Sequence, residues 1–195
     1  MDAKANEVFG KDWVHAMGEN SNSLTGITVI IYPDSAPQDI NMTNGQAMNI
    51  YMVNKMSDGK TKLRNMGISE EMVDHIAEKI DPKFITLADW IQGDFLPGLR
   101  GKYNATYLKV FGTQMAKINN YVPLRIASEG VHREADVANE DKIKLPSTII
   151  GSLIARTINK KPVDIINTDA MALISEHLKQ SEHWNSFIAI TQDIN

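Results

Sequence analysis

Apolar positions along this chain recur mostly at helical spacing, and polar breaks divide the pattern into about six helices. Within residues 5–17, Phe9, Trp13, Ala16 and Met17 fall three and four apart, which predicts a first helix closed by Gly18. The turn-rich ENSNSLTG follows. ITVIIYP, residues 27–33, is β-branched and stopped by Pro33, and predicts a short strand or an extended segment lying on helices. A helix over 43–56 opens on Thr43 and Gln46, whose spacing is that of a capping box. Ala47, Ile50, Tyr51 and Asn54 would share its buried face. The next opens on Ser69 with Glu70 and Glu71 in its first turn, where carboxylates favour the helix dipole. Its predicted stripe is Met72, Ile76, Ala77 and Ile80. Asp81-Pro82 then breaks and restarts the chain.

The longest helical pattern runs from about residue 82 to 111. Phe84, Leu87, Ala88, Ile91 and Phe95 lead into Leu99, Tyr103, Tyr107 and Val110. Pro97 interrupts it. Proline lacks an N–H and its ring meets the carbonyl of Gly93, so a kink or break is predicted there, weakened further by Gly93, Gly98 and Gly101. Gly112 is placed to end the second half. KINNYVPLRI, residues 117–126, cannot be helical, because Val122 precedes proline and is held extended. It reads as a strap across the helices, with Asn120, Tyr121, Pro123 and Arg125 as its defining residues: Tyr121 docks in a groove and Arg125 sits at the rim. Residues 127–146 are polar and aperiodic, an exposed loop. Ser147 caps a helix over 147–159. Thr168 caps a last one over about 169–193, with Leu173, His177, Trp184 and Phe187 on one face. His177 is expected to pack against Trp184, and His183 against Phe187.

The fold class is therefore mostly α: an irregular multi-helix bundle of about six helices, with at most a minor short strand near 27–32. Residues 1–195 read as a single helical domain, with an amino-terminal helix and extended segment over 1–40. The last helix has no glycine or cationic turn to close it, as expected of a segment of a larger chain.

Composition narrows the chemistry. There are no cysteines, which excludes disulfides and thiolate metal sites and fits a reducing compartment. The start, MDAKANEVFG, is polar and has no apolar leader, and ITVIIY is too short to span a bilayer. The glycosylation triplets at Asn41 and Asn104 read as chance matches. Net charge is −4, but it is unevenly spread. Residues 100–161 carry eleven Lys/Arg against five Asp/Glu, whereas residues 1–98 carry eight against fourteen. That basic band is either a solvated face or a polyanion contact. In the second reading the nucleic-acid candidates are Arg100, Lys102, Tyr103, Lys109, Lys117 and Arg125.

No catalytic constellation is apparent. No serine sits in a G-x-S-x-G elbow, no phosphate-binding loop is present, and LPGLRGK lacks the preceding strand that a glycine-rich nucleotide site needs. Carboxylate-x-x-His pairs occur at Asp12/His15 and Glu129/His132, the second in the polar loop. His177 and His183 are six apart, which turns them about 120° from each other on a helix. Glu176, Glu182, Asp89 and Asp94 lie among polar residues and read as solvated faces. The expectation is no metal, no cofactor and no enzymatic activity, with a helical metalloenzyme as a further alternative.

Four stretches occur in a particular order: MTNGQAMNIYMVNK, GISEEMVDHIAEKI, LADWIQGDFLPGLRGKYNATYLKVFGTQMAKINNYVPLRI and ALISEHLKQSEHWNSFIAITQDIN. Together they resemble a helical region in the large polyvalent proteins of tailed bacteriophages and prophages, over roughly residues 40–195. The positions that carry the resemblance are Gln46, Ala47, Tyr51, Tyr103, Asn104, Tyr107, Gly112, Asn120, Tyr121, Pro123, Arg125, His177 and His183. It implies a structural or interaction module whose partners are other segments or subunits of a phage particle, with DNA as a further candidate partner. The resemblance places the chain in the virion or the host cytoplasm. It brings no catalytic residues with it.

Overall fold

The computed structural model describes residues 1–19, 27–29, 36, 38–124 and 169–192. The fold is mostly helical, as the periodicity predicts. Arg125, the loop at 127–146 and the helix expected over 147–159 lie outside the described residues.

The first helix is two. α1 spans Asp2–Phe9 and α2 spans Trp13–Gly18. They part at Gly10, whose φ of 79° is one that a glycine adopts without penalty. α1 packs on the helix over Pro82–Trp90 and α2 on the helix over Asn44–Asn54, and the two also touch each other; Phe9 meets Phe84 with ring centroids 4.6 Å apart. Of the expected strand, Ile27–Val29 form β1 and residues 30–33 lie outside the described residues; β1 has a partner that the sequence did not announce. β2, Gln38–Ile40, pairs with it antiparallel, with Ile27 opposite Ile40 and Val29 opposite Gln38.

α3, Asn44–Asn54, is the centre of the bundle. Its capping box forms as expected: the Gln46 N–H donates to Thr43 Oγ1 at 3.2 Å, and the Thr43 N–H donates to Gln46 Oε1 at 2.9 Å. Burial, however, extends beyond one face. Ala47, Met48, Ile50, Met52 and Val53 are all inaccessible to solvent, because α2 and the later helices over Gly59–Asn65, Glu70–Lys79, Pro82–Trp90 and Ala170–Gln192 surround the helix. Fully burying a side chain of this size stabilises by about 1.5–3 kcal/mol, so this one helix anchors much of the core.

α4, Gly59–Asn65, is a short helix whose single buried anchor is Leu63. α5 spans Glu70–Lys79, with Ser69 Oγ accepting from the Met72 N–H at 3.2 Å. Its buried residues are Val73 and Ile76, followed by Ile80; Met72 and Ala77 are only half-buried, so the stripe is rotated towards Val73. Asp81 caps α6, Pro82–Trp90, accepting from the Lys83 N–H at 2.8 Å. Pro82 at the first position needs no hydrogen-bond partner for the N–H it lacks.

The break expected at Pro97 falls one turn earlier. Ile91–Phe95 form a π turn, and α7 begins at Leu96 and runs to Phe111. The Leu96 N–H donates five residues back, to the carbonyl of Ile91. Widening the helix there places Pro97 in the first turn of a new segment, where its missing donor costs nothing and its ring clashes with no continuing α-turn. Gly112 closes α7 in the left-handed region with φ 68°. The last described helix, α8, spans Ala170–Gln192 and packs on α3 and α7. Thr168 lies outside the described residues. The side chain that caps α8 is Asp169, whose Oδ1 accepts from the Met171 and Ala172 N–H groups at 2.9 Å each.

Candidate functional site

The strap takes shape between α7 and α8. Residues 113–124 leave Gly112 without helical structure, and Met115, Val122 and Pro123 are buried along it. Helix side chains hold the strap by its main chain. Arg100 donates from Nε to the Ala116 carbonyl at 3.1 Å, and its Nη2 bonds the carbonyl of Met115. Asn104 Oδ1 accepts from the Met115 N–H at 2.9 Å. Gln92 Nε2 donates to two carbonyls, Asn120 at 2.7 Å and Met52 at 2.8 Å, and so ties the strap to α3 through the π turn. Asn120 returns a bond of 3.0 Å to the Lys55 carbonyl and takes a φ of 50°, a conformation that asparagine tolerates better than most residues. Charge-assisted and amide bonds to main-chain oxygens fix the strap's position whatever its side chains are.

Beneath the strap lies a cavity of about 510 Å³. Leu96, Leu99 and Tyr121 supply apolar wall; Gln92, Arg100, His177 and Ser181 supply polar groups. Tyr121 meets His177 edge to face, with ring centroids 5.8 Å apart. The sequence expectation for His177 is therefore corrected. It packs against the strap tyrosine, while Trp184 joins Tyr107 and Phe111 at 6.2 and 6.3 Å. His183 does stack near Phe187, at 6.3 Å. Burial pushes the His177 imidazole down to about 4, so the ring is neutral at neutral pH. Burial and the Glu182 carboxylate push the Tyr103 phenol well above its usual range.

His177 and Ser181 stand one helical turn apart on α8, a spacing that aligns two side chains on one face. They do not form an assembled nucleophile and base, because among the described residues neither His177 Nδ1 nor Ser181 Oγ has a hydrogen-bond partner. Among the described residues no group of three or more His, Asp or Glu side chains could hold a metal ion. The carboxylates that drew attention in the sequence face outward. Asp89 accepts from Tyr51 and Lys55 at 3.0 and 2.6 Å, and Glu182 accepts from Lys102 at 2.6 Å.

Of the nucleic-acid candidates, Arg100, Tyr103 and Lys117 line the strap cavity. Arg100 holds the strap, Lys102 pairs with Glu182, and Tyr103 is buried. Lys109 and Lys117 are exposed, and Arg125 is outside the described residues. Of the strap residues, Asn120, Tyr121 and Pro123 lie in the clasp itself. Sequence reasoning missed Gln92, the residue with most influence on the site. Its one visible signal was a polar side chain directly after Ile91 on a face that continues into the apolar stripe.

No protein-family model matches the sequence, and neither the curated proteins nor the solved structures offer a match. No described helix is long and apolar enough to cross a membrane.

Proposed function

We propose that the chain is a non-catalytic structural and interaction module, in keeping with its resemblance to a helical region of phage polyvalent proteins carried in the virion. The observation that carries this reading is the clasp. The long helix directs its most capable polar side chains, Gln92, Arg100 and Asn104, at main-chain groups of the strap. Side chains used this way fasten one segment to another. The same engagement is why this reading is preferred to a nucleic-acid module, since Arg100 and Lys102 already have partners within the protein.

The test is to purify phage particles after induction of the host and identify their proteins by mass spectrometry. Peptides of this chain in the particle fraction, and no DNA binding by the isolated chain, are expected. Confinement to the particle-free fraction, or binding to duplex DNA that weakens steeply with salt, would reject it in favour of another role.

A further inference from the structure

Four side chains that line the strap cavity are more than nine-tenths buried and hold a polar atom with no hydrogen-bond partner among the described residues: Gln92 Oε1, the Tyr103 hydroxyl, His177 Nδ1 and Ser181 Oγ. Buried polar atoms left this way cost stability, and when they converge on one cavity they point to a bound molecule that completes them. Their chemistry restricts that molecule. The Gln92 amide cannot be reversed, because its nitrogen donates to two carbonyls; Oε1 is therefore an acceptor and requires a donor. Ser181 and the neutral His177 can each donate or accept.

Charge restricts it further. Among the described residues Arg100 and Lys117 line the cavity and no Asp or Glu does. Among the described residues Arg100 bonds main-chain oxygens and no carboxylate, so its charge is not neutralised there and its fork keeps further N–H donors. Lys117 is exposed to solvent, so Arg100, half-buried, brings the cavity's less solvated charge; one guanidinium beside a neutral imidazole and a neutral phenol matches a single negative charge, and a dianion would leave charge unpaired in a partly desolvated site. Leu96, Leu99 and Tyr121 offer apolar contact for the remainder, and the volume lies within the roughly 300–1,000 Å³ of small-molecule sites.

We propose that this cavity binds a small organic monoanion: an apolar, preferably aromatic, body with one carboxylate for Arg100 and one hydroxyl or N–H donor for Gln92. The site is independent of the module's role in a particle.

The experiment is a nuclear magnetic resonance titration of the full chain that follows the His177 ring and Ser181 amide signals. The probes share one shape and differ in charge: para-hydroxyphenylacetate, the neutral para-hydroxyphenethyl alcohol and the cation tyramine. The anion is expected to saturate both signals with Kd below about 1 mM, and the alcohol to bind at least about tenfold more weakly. Tyramine should leave both signals in place. Phenylacetate, which lacks the donor, and the variant Ser181→Ala should each weaken binding roughly five- to tenfold. Ser181 is outside the clasp, so its variant should keep the wild-type melting temperature. No saturation by para-hydroxyphenylacetate at about 10 mM overturns the proposal. So does equal or tighter binding of tyramine, or unchanged affinity for phenylacetate or for Ser181→Ala.

Discussion

One carboxylate oxygen of Asp169 fills the space that a Cβ on Gly45 would need. The other caps α8 through the N–H groups of Met171 and Ala172. Asp169 therefore joins the start of the last helix to the first turn of the central one, across more than a hundred residues of sequence. The contact explains why α3 opens on Asn44-Gly45 when a larger residue would favour the helix.

Gly45→Ala should destabilise by about 1–3 kcal/mol, because the added methyl displaces a carboxylate held by two hydrogen bonds. Asp169→Ala removes the cap and should cost about 1 kcal/mol. In the double variant the clash is gone, so its cost in urea denaturation should fall well below the sum of the two.

Gly59→Ala should be the more damaging glycine substitution, by about 3 kcal/mol. The methyl would meet the carbonyl of Val53, which belongs to the backbone of α3 and cannot rotate aside. Circular dichroism melts of the two glycine variants would rank them; an equal or smaller loss for Gly59→Ala would contradict the close approach of α3 and α4.

His177 should make the protein acid-sensitive. Its folded value of about 4 lies below the ordinary histidine range, so the unfolded chain takes up the proton first as pH falls. The stability it allows is complete above about pH 6.5 and is lost progressively down to about pH 4, by an amount on the order of 3 kcal/mol. Below that both states are protonated and this contribution is flat. Denaturant midpoints measured from pH 7 to 4 should fall for the wild type and fall less for His177→Leu.

Loosening the clasp should release the strap while the core remains. Gln92→Met leaves the Asn120 and Met52 carbonyls without their donor and should cost about 2 kcal/mol. Arg100→Met should act similarly at Met115 and Ala116. Limited proteolysis should cut both variants within residues 113–124 faster than the wild type, whereas Lys117→Met, on an exposed side chain, should leave the rate unchanged.

What the sequence made legible was local. The Thr43–Gln46 box, the Ser69 cap, the Asp81-Pro82 restart and the Gly112 stop each depend on residues within a turn of one another, and each is found. α4 was not legible, because Leu63 alone gives no periodicity. The wrapping of α3 was hidden for the opposite reason: Met48, Met52 and Val53 are buried off the face that Ala47, Ile50 and Tyr51 define, so one stripe understated it. At the candidate site, Tyr121 as a docked aromatic was readable from its place beside Pro123. Gln92 was not, since its partners Met52 and Asn120 are 40 and 28 residues away in sequence. The cap of α8 was placed one residue early for a similar reason: Thr168 and Asp169 are both good caps, and only the contact with Gly45 distinguishes them.

The extra residue in Ile91–Phe95 works as a phase slip between two lengths of one rod. α6 presents its apolar side to α1 and α3, and α7 presents its own to α8. Excising a single residue there would restore an even pitch and swing everything beyond it by about 100° of azimuth. Arg100 and Asn104 would then face away from the segment they fasten. This is a place where the chain's length, more than the identity of its residues, is fixed by geometry, and where natural insertions and deletions should be absent.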